Sequence, residues 1–169
     1  MSPTSTSVST YTRTHTAVYL ADVVMGTIAD ILAELKIDIT SLYRDWKQDE
    51  AAIIAWIEEE SLQQVVLECH QPDGTVAPII EFPVAYKSSG EGDATFTADR
   101  AALARYRAKL ERVPTKTTYG IICTFRTTTH KQQPGWGPAS RASTDGLKSL
   151  KFGTLASAPH AALSMRYLH

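Results

Sequence analysis

The chain has 169 residues, 43% of them apolar and 21% charged, with a formal net charge of −1. That length fits one domain, which at this size buries roughly 70% of its unfolded surface and needs no disulfide or metal staple. The near-zero charge conceals a split: residues 1–96 hold 5 Lys/Arg against 15 Asp/Glu, and residues 97–169 hold 12 against 3. Such asymmetry either neutralises itself as the two halves fold together or marks a surface for an acidic partner or nucleic acid.

Met1–Thr10 is polar, rich in Ser and Thr, and reads as a flexible arm. It has no basic n-region or apolar core, so it is not a secretory signal. No apolar run reaches the ~18 residues of a membrane span. Thr12–Thr16 is short and compatible with an extended piece. From Ala17 the pattern turns helical: Val18, Ala21, Met25, Ile28, Leu32 and Leu35 follow steps of three and four, which places them on one stripe. Val24 and Ile31 widen that stripe. A second helix is expected over about Ser41–Glu60, with Leu42, Trp46, Ile53, Trp56 and Ile57 as its apolar positions. Glu58–Glu60 oppose the macrodipole at its C-terminus, so this end is expected to fray or to meet a basic surface.

The period then changes to two. Leu62–His70 reads as a strand, Gln71-Pro-Asp-Gly74 as a turn, and Val76–Tyr86 as the returning strand. Pro78 and Pro83 remove ladder donors and predict an edge or bulged strand. Ser88–Asp93 reads as a mobile acidic loop. A third helix is expected from Thr97 or Ala98 to Glu111, before Pro114. Tyr119–Thr129 is the best strand of the second half, with Tyr119, Ile121, Cys123 and Phe125 on one face.

The last forty residues are harder to read. They are too irregular for one helix and carry too many spaced apolar anchors, from Trp136 to Leu168, for a disordered tail. Long irregular stretches in compact domains are usually functional or disordered. This one either adds edge strands to the sheet or forms a moving part, and both can hold at once. Trp136, set between two glycines, either anchors a loop or serves as a recognition ring; glycine lets the backbone bend sharply around the indole. The whole order predicts an α+β fold, with three helices packed on one face of a mainly antiparallel sheet.

Catalytic groupings are not evident. The five histidines are scattered, and the two cysteines, Cys69 and Cys123, sit in apolar strands far apart in sequence. They read as buried small hydrophobes in a reducing cytosol, which makes a cytoplasmic location the expectation. No zinc spacing, phosphate-binding loop or nucleophile elbow is present. The expectation is therefore no enzyme activity, no metal and no cofactor. Nucleic-acid binding, including contact with DNA, is the alternative use of the basic half, although aromatic residues for base stacking are few.

Several segments together resemble the bacterial HORMA-domain proteins. They are Tyr11–Thr16 leading into a long apolar helix, Asp45-Trp46 with the Trp56-Ile-Glu58 helix, Leu62–Glu68, Ser88–Asp93 before Phe96, and the Tyr119 strand followed by Pro-Gly-Trp-Gly. The resemblance implies a single HORMA-like domain over 11–169 after the 1–10 arm, with 131–169 as a C-terminal safety belt. It further implies a peptide-binding switch in which the belt wraps a closure-motif peptide that adds a strand to the sheet. The peptide-binding candidates are then Tyr119, Ile121, Cys123, Phe125 and Thr127 on the edge strand. In the belt they are Trp136, Leu147, Leu150, Phe152, Leu163 and Tyr167. The implied partners are a cGAS/DncV-like nucleotidyltransferase of a CBASS anti-phage system, activated by the closed form, and an AAA+ ATPase that reopens the domain by its N-terminal arm.

Overall fold

The computed structural model describes residues 4–87 and 96–169, the side chains of 4–11, 100, 103 and 104 excepted. Residues 1–3 and the acidic loop at 88–93 lie outside the described part. The first element is a long helix, α1 (Thr4–Glu34). Ala17, Leu20, Ala21, Val24, Met25, Ile28, Ile31 and Leu32 form its buried stripe, the face that a 3.6-residue period turns to one side. Val18 falls at the border of that stripe and is 42% exposed.

α1 starts earlier than the sequence reading has it. Residues 4–16 are helical, where an arm and an extended piece were expected. Neither Gly nor Pro interrupts the chain between Thr4 and Gly26, and extending an existing helix is far easier than nucleating one. By length and composition residues 12–34 also pass for a membrane span, although no single run is purely apolar; most of that window is buried inside the fold.

α2 (Thr40–Glu58) packs beside α1 and buries Leu42, Ala52, Ile53, Trp56 and Ile57. Both helices end in a Schellman arrangement built on a non-glycine residue. Ile37 donates to the Leu32 carbonyl at 2.9 Å past Lys36, and Ser61 donates to the Trp56 carbonyl at 3.0 Å past Glu60. Lys36 and Glu60 each have φ 58°. The last carbonyls of α2 are thereby satisfied, so its acidic end is closed rather than frayed.

The strands are β1 (Leu62–His70), β2 (Val76–Tyr86), β3 (Thr97–Ala98), β4 (Thr118–Phe125), β5 (Ser149–Ser157) and β6 (Ala161–Leu168). They form one sheet in the order β3-β5-β6-β2-β1-β4, with every pair antiparallel. α3 (Arg100–Arg107) is shorter than expected at both ends. The Asp99 side chain caps it by accepting from Ala102 N–H at 2.8 Å, and the preceding Thr97–Ala98 is claimed by β5 instead. β2 is central, not an edge. Its Pro78 falls where the β1 register shifts, and Pro83 stays in the ladder opposite Gln64. The missing donors are outweighed by burial: Ile79, Ile80, Phe82 and Val84 are all buried, and so is Glu81 between them.

The sheet has two unlike faces. Val65, Leu67, Ile80, Phe82, Leu163, Met165 and Tyr167 meet the helices in the main core, and Tyr106 of α3 packs edge-on against Phe152 and Tyr167. The outer face carries a smaller apolar cluster, Val66, Ile79 and Leu168, with Ile122, Ala142 and Leu147 against it. Among the described residues no helix packs against this cluster. It is crossed by the segment that joins β4 to β5.

Candidate binding groove

β4 is an edge strand, and among the described residues its one ladder partner is β1. An edge presents a row of outward backbone N–H and C=O groups, which is a template for another strand. Beside that edge lies a groove of about 430 Å³. β4 contributes Ile121, Ile122, Cys123 and Phe125 to it, and the segment beyond contributes His130, Gln132 and Gly135–Ala139. Residues of both strand parities line the groove. Since alternate side chains point to opposite faces, the groove runs along the edge itself and not across one face.

Its far wall is pinned to α2 by side chains. Trp56 is 2% exposed, and its Nε1 donates to the Lys131 carbonyl at 2.8 Å. Lys131 N–H in turn donates to Glu59 Oε1 at 3.2 Å, so the acidic end of α2 does meet the basic half, at a backbone amide. Gln48 Nε2 donates to the Pro134 carbonyl at 2.7 Å. The Trp136 ring stands edge-on to Trp56 with centroids 5.3 Å apart. Phe125 is also edge-on to Trp56, at 4.9 Å, and His130 stacks flat on Phe125 at 3.6 Å. Trp56 is thus the hub of an aromatic cluster that closes one end of the groove.

The turn that delivers Trp136 is legible in its residues. Trp136 N–H donates to the Gln133 carbonyl at 3.2 Å, across Pro134 and a Gly135 with φ 81°. Pro at the second position and a left-handed Gly at the third make a type II turn. A Cβ on Gly135 would also stand 1.3 Å from Gln48 Nε2. Two buried ring nitrogens at the groove, Trp136 Nε1 and His130 Nδ1, have no hydrogen-bond partner among the described residues. A buried donor without a partner is costly, and Trp136 Nε1–H is suited to a carbonyl acceptor.

Of the sequence candidates, Ile121, Cys123, Phe125 and Trp136 come together at the groove. Tyr119 sits on the helix face, its hydroxyl 2.8 Å from Ser41 Oγ. Thr127 lies past the end of β4, exposed, and donates to the Thr129 carbonyl. The remaining belt candidates are elsewhere. Leu147 packs on the outer face, Leu150 and Phe152 lie on β5 against the main core, and Leu163 and Tyr167 are buried within that core. Leu150, Phe152, Leu163 and Tyr167 are spaced as anchors because they belong to the β5–β6 hairpin. Trp56, His130, Gln48 and Glu59 were not among the binding candidates; helical periodicity accounts for Trp56, and no local signal reports a contact across the fold.

Burial pushes the Cys123 thiol far up, and that of Cys69 up to about 12, so neither is a thiolate near neutrality. No group of three His, Cys, Asp or Glu suited to a metal ion occurs among the described residues.

The sequence pattern of the family described as Bacterial HORMA domain 2 matches residues 5–169. No curated protein matches the sequence significantly. Among solved structures, a chain of the mitotic checkpoint complex superposes with a TM-score of 0.70 at 9% identity, covering 89% of this chain and 95% of that one. A chain of the E. coli MS115-1 HORMA:CdnC:Trip13 complex gives 0.62 at 10% identity, covering 92% and 89%. C. elegans HTP-2 bound to the HIM-3 closure motif gives 0.58 at 14% identity, covering 76% and 69%. At these identities the likeness is one of fold.

Proposed function

Since the chain belongs to the bacterial HORMA domain family, we propose that it is a non-catalytic switch that closes around a short peptide lying along β4. One observation carries this reading: a groove of about 430 Å³ lies between the outer edge of β4 and residues of the 130–139 segment. A strand added there gains affinity from main-chain hydrogen bonds to the edge and specificity from pockets for alternate side chains. A bulky apolar side chain fits against Trp56, Phe125 and Trp136, and a peptide carbonyl satisfies Trp136 Nε1. Escape then requires the 130–139 segment to lift, so this roof slows dissociation more than entry.

The partners follow from the neighbour that is itself a HORMA:CdnC:Trip13 assembly. In our reading the peptide-bound form binds and activates a cGAS/DncV-like nucleotidyltransferase in anti-phage defence, and an AAA+ ATPase reopens it from the N-terminal end of α1. The helical backbone from Thr4 onward implies that such an ATPase must unwind helix before it reaches the core. Nucleic-acid binding is the weaker reading, because part of the basic half is already engaged: Arg107 pairs with Asp30 at 3.0 Å, and Arg141 and Arg166 both pair with Glu81.

The test is selection of a peptide from a random display library by the full chain, followed by second-messenger synthesis with a nucleotidyltransferase encoded beside it. Synthesis that rises only when peptide and chain are both present supports the proposal. Synthesis indifferent to the chain, or hydrolase activity that copurifies with it, refutes the proposal.

A further inference from the structure

Two carboxylates are buried on the outer face of the sheet, beside the apolar Val66 and Ile79. Glu68 on β1 is 2% exposed and Glu81 on β2 is 6% exposed. Val66 pairs with Glu81 and Glu68 with Ile79, so both acids point to the face that the β4–β5 segment crosses. Each is met there by one of two successive residues of that segment. Arg141 Nη2 lies 2.7 Å from Glu81 Oε2, and Ala142 N–H donates to Glu68 Oε2 at 2.7 Å. Leu147 packs on Val66, Ile79 and Leu168 alongside.

We infer that Glu68 and Glu81 form a latch, which grips the belt at Arg141 and Ala142 and sets how readily the segment lifts from the sheet. The inference rests on reading this segment as a movable cover. Apolar contact with Val66 and Ile79 is non-directional and would tolerate a slipped segment. Two carboxylates on neighbouring strands, each holding a different residue, fix its register. The remaining partners make the grip reversible. When the segment lifts, Glu81 keeps Arg166 of β6, whose Nε is 3.1 Å away. Glu68 keeps His70 at 3.5 Å and regains water as its cover leaves. Opening therefore leaves Glu81 paired with Arg166 and Glu68 open to water. With the segment down, removing Arg141 leaves the covered Glu81 with one guanidinium in place of two, and neutralising Glu68 weakens the acceptor that holds the Ala142 amide, since a charged acceptor makes the stronger bond. A deletion on either side of the latch should thus favour the lifted state. The charge division between the two halves of the chain is resolved in part at this point.

Hydrogen exchange on the full chain, without any peptide, reads the latch directly, because the Ala142 amide is itself one of its bonds. Local opening is what such exchange reports. Arg141→Met keeps the length of the stem and removes the charge; Glu68→Gln keeps the shape and weakens the acceptor. Each should speed exchange across 139–148 by about tenfold or more, an opening easier by about 1.4 kcal/mol, while amides in β1, β2 and β6 change less than about twofold on the same free-energy scale. If Glu68→Gln fails to fold, Arg141→Met decides alone, since Arg141 lies outside both clusters of the core. Exchange in 139–148 unchanged by Arg141→Met, or raised evenly across the whole sheet, overturns the latch. The outcome is independent of peptide selection: a chain that captures no peptide can still show the latch, and a chain that captures one can lack it.

Discussion

The C-terminal quarter of the chain contains two neighbouring segments held by different physics. Residues 149–168 form a hairpin, β5–β6, whose backbone is laddered to β2 and to itself along most of its length. Its inward side chains Leu155, Leu163, Met165 and Tyr167 are almost fully buried. Residues 130–147 have no ladder among the described residues, whereas Lys148 exchanges two backbone bonds with His169 at the foot of the hairpin. They are held by a few side-chain contacts: Trp56, Gln48 and Glu59 at the start, and Glu68 and Glu81 in the middle. A ladder fails cooperatively with the core, whereas separate side-chain contacts fail locally and one at a time. One stretch read as a single belt thus divides into an integral part of the sheet and a strap laid over it.

Substitutions should separate the two. Tyr167→Ala removes a buried ring that packs on Tyr106 and accepts from Glu111 N–H. Truncating such a ring costs about 3–5 kcal/mol, so thermal or denaturant unfolding should shift for the whole molecule. A change in Tm of under about 2 °C, far less than this cost implies, would place the hairpin outside the cooperative core and dissolve the contrast. Trp136→Ala should act the other way. Its ring is only half-buried and touches Trp56 from one side. Global stability should fall by about 1–2 kcal/mol, below the range for fully buried aromatics, while exchange in 130–139 accelerates by more than tenfold. Peptide retention, where peptide binds, should shorten by a similar factor through the off-rate. Global unfolding as severe as for Tyr167→Ala would show that the strap is core after all.

Gly135→Ala is a finer probe. The left-handed φ strains any L side chain, and the new methyl displaces Gln48 from the Pro134 carbonyl. The loss should be about 1 kcal/mol, felt in the strap alone; a neutral result would mean that the turn adjusts freely. Thiol alkylation gives the smallest effect and sharpens the contrast further. Both thiols are pushed up by burial, Cys69 to about 12, so at pH 8 both should react slowly. Cys123 lines the groove and Cys69 does not. In Trp136→Ala, Cys123 should react faster and Cys69 should not; equal acceleration would point to general loosening.

Much of this was written locally in the chain. The β1–β2 hairpin follows from alternation on both sides of a Pro-Asp-Gly turn, in which Gly74 has φ 92°. The three helices follow from their periodic stripes, and the groove residues of β4 from the parity of Ile121, Cys123 and Phe125. The C-terminal hairpin was harder for a physical reason. β6 alternates cleanly from Ala161 to Tyr167, but its buried positions include Ala161, and β5 is broken by two register shifts around a left-handed Gly153. Small residues and bulges weaken the period-two signal while the ladder survives. The roof of the groove was out of reach because it is made by contacts between distant parts of the chain. Trp56 looks like any apolar helix position, and only the fold sets Trp136, His130 and Phe125 around it. The same holds for Glu68 and Glu81, which in the sequence are ordinary polar interruptions of two strands.

The central claim is that an extended peptide pairs with β4 beneath the strap. It is tested most directly by hydrogen exchange on the full chain with and without a peptide selected by it. The account predicts that protection rises in β4 and in 130–148 and stays level in β5, β6 and the helices. Protection that rises in the helices instead, or that is the same with and without peptide, would contradict it.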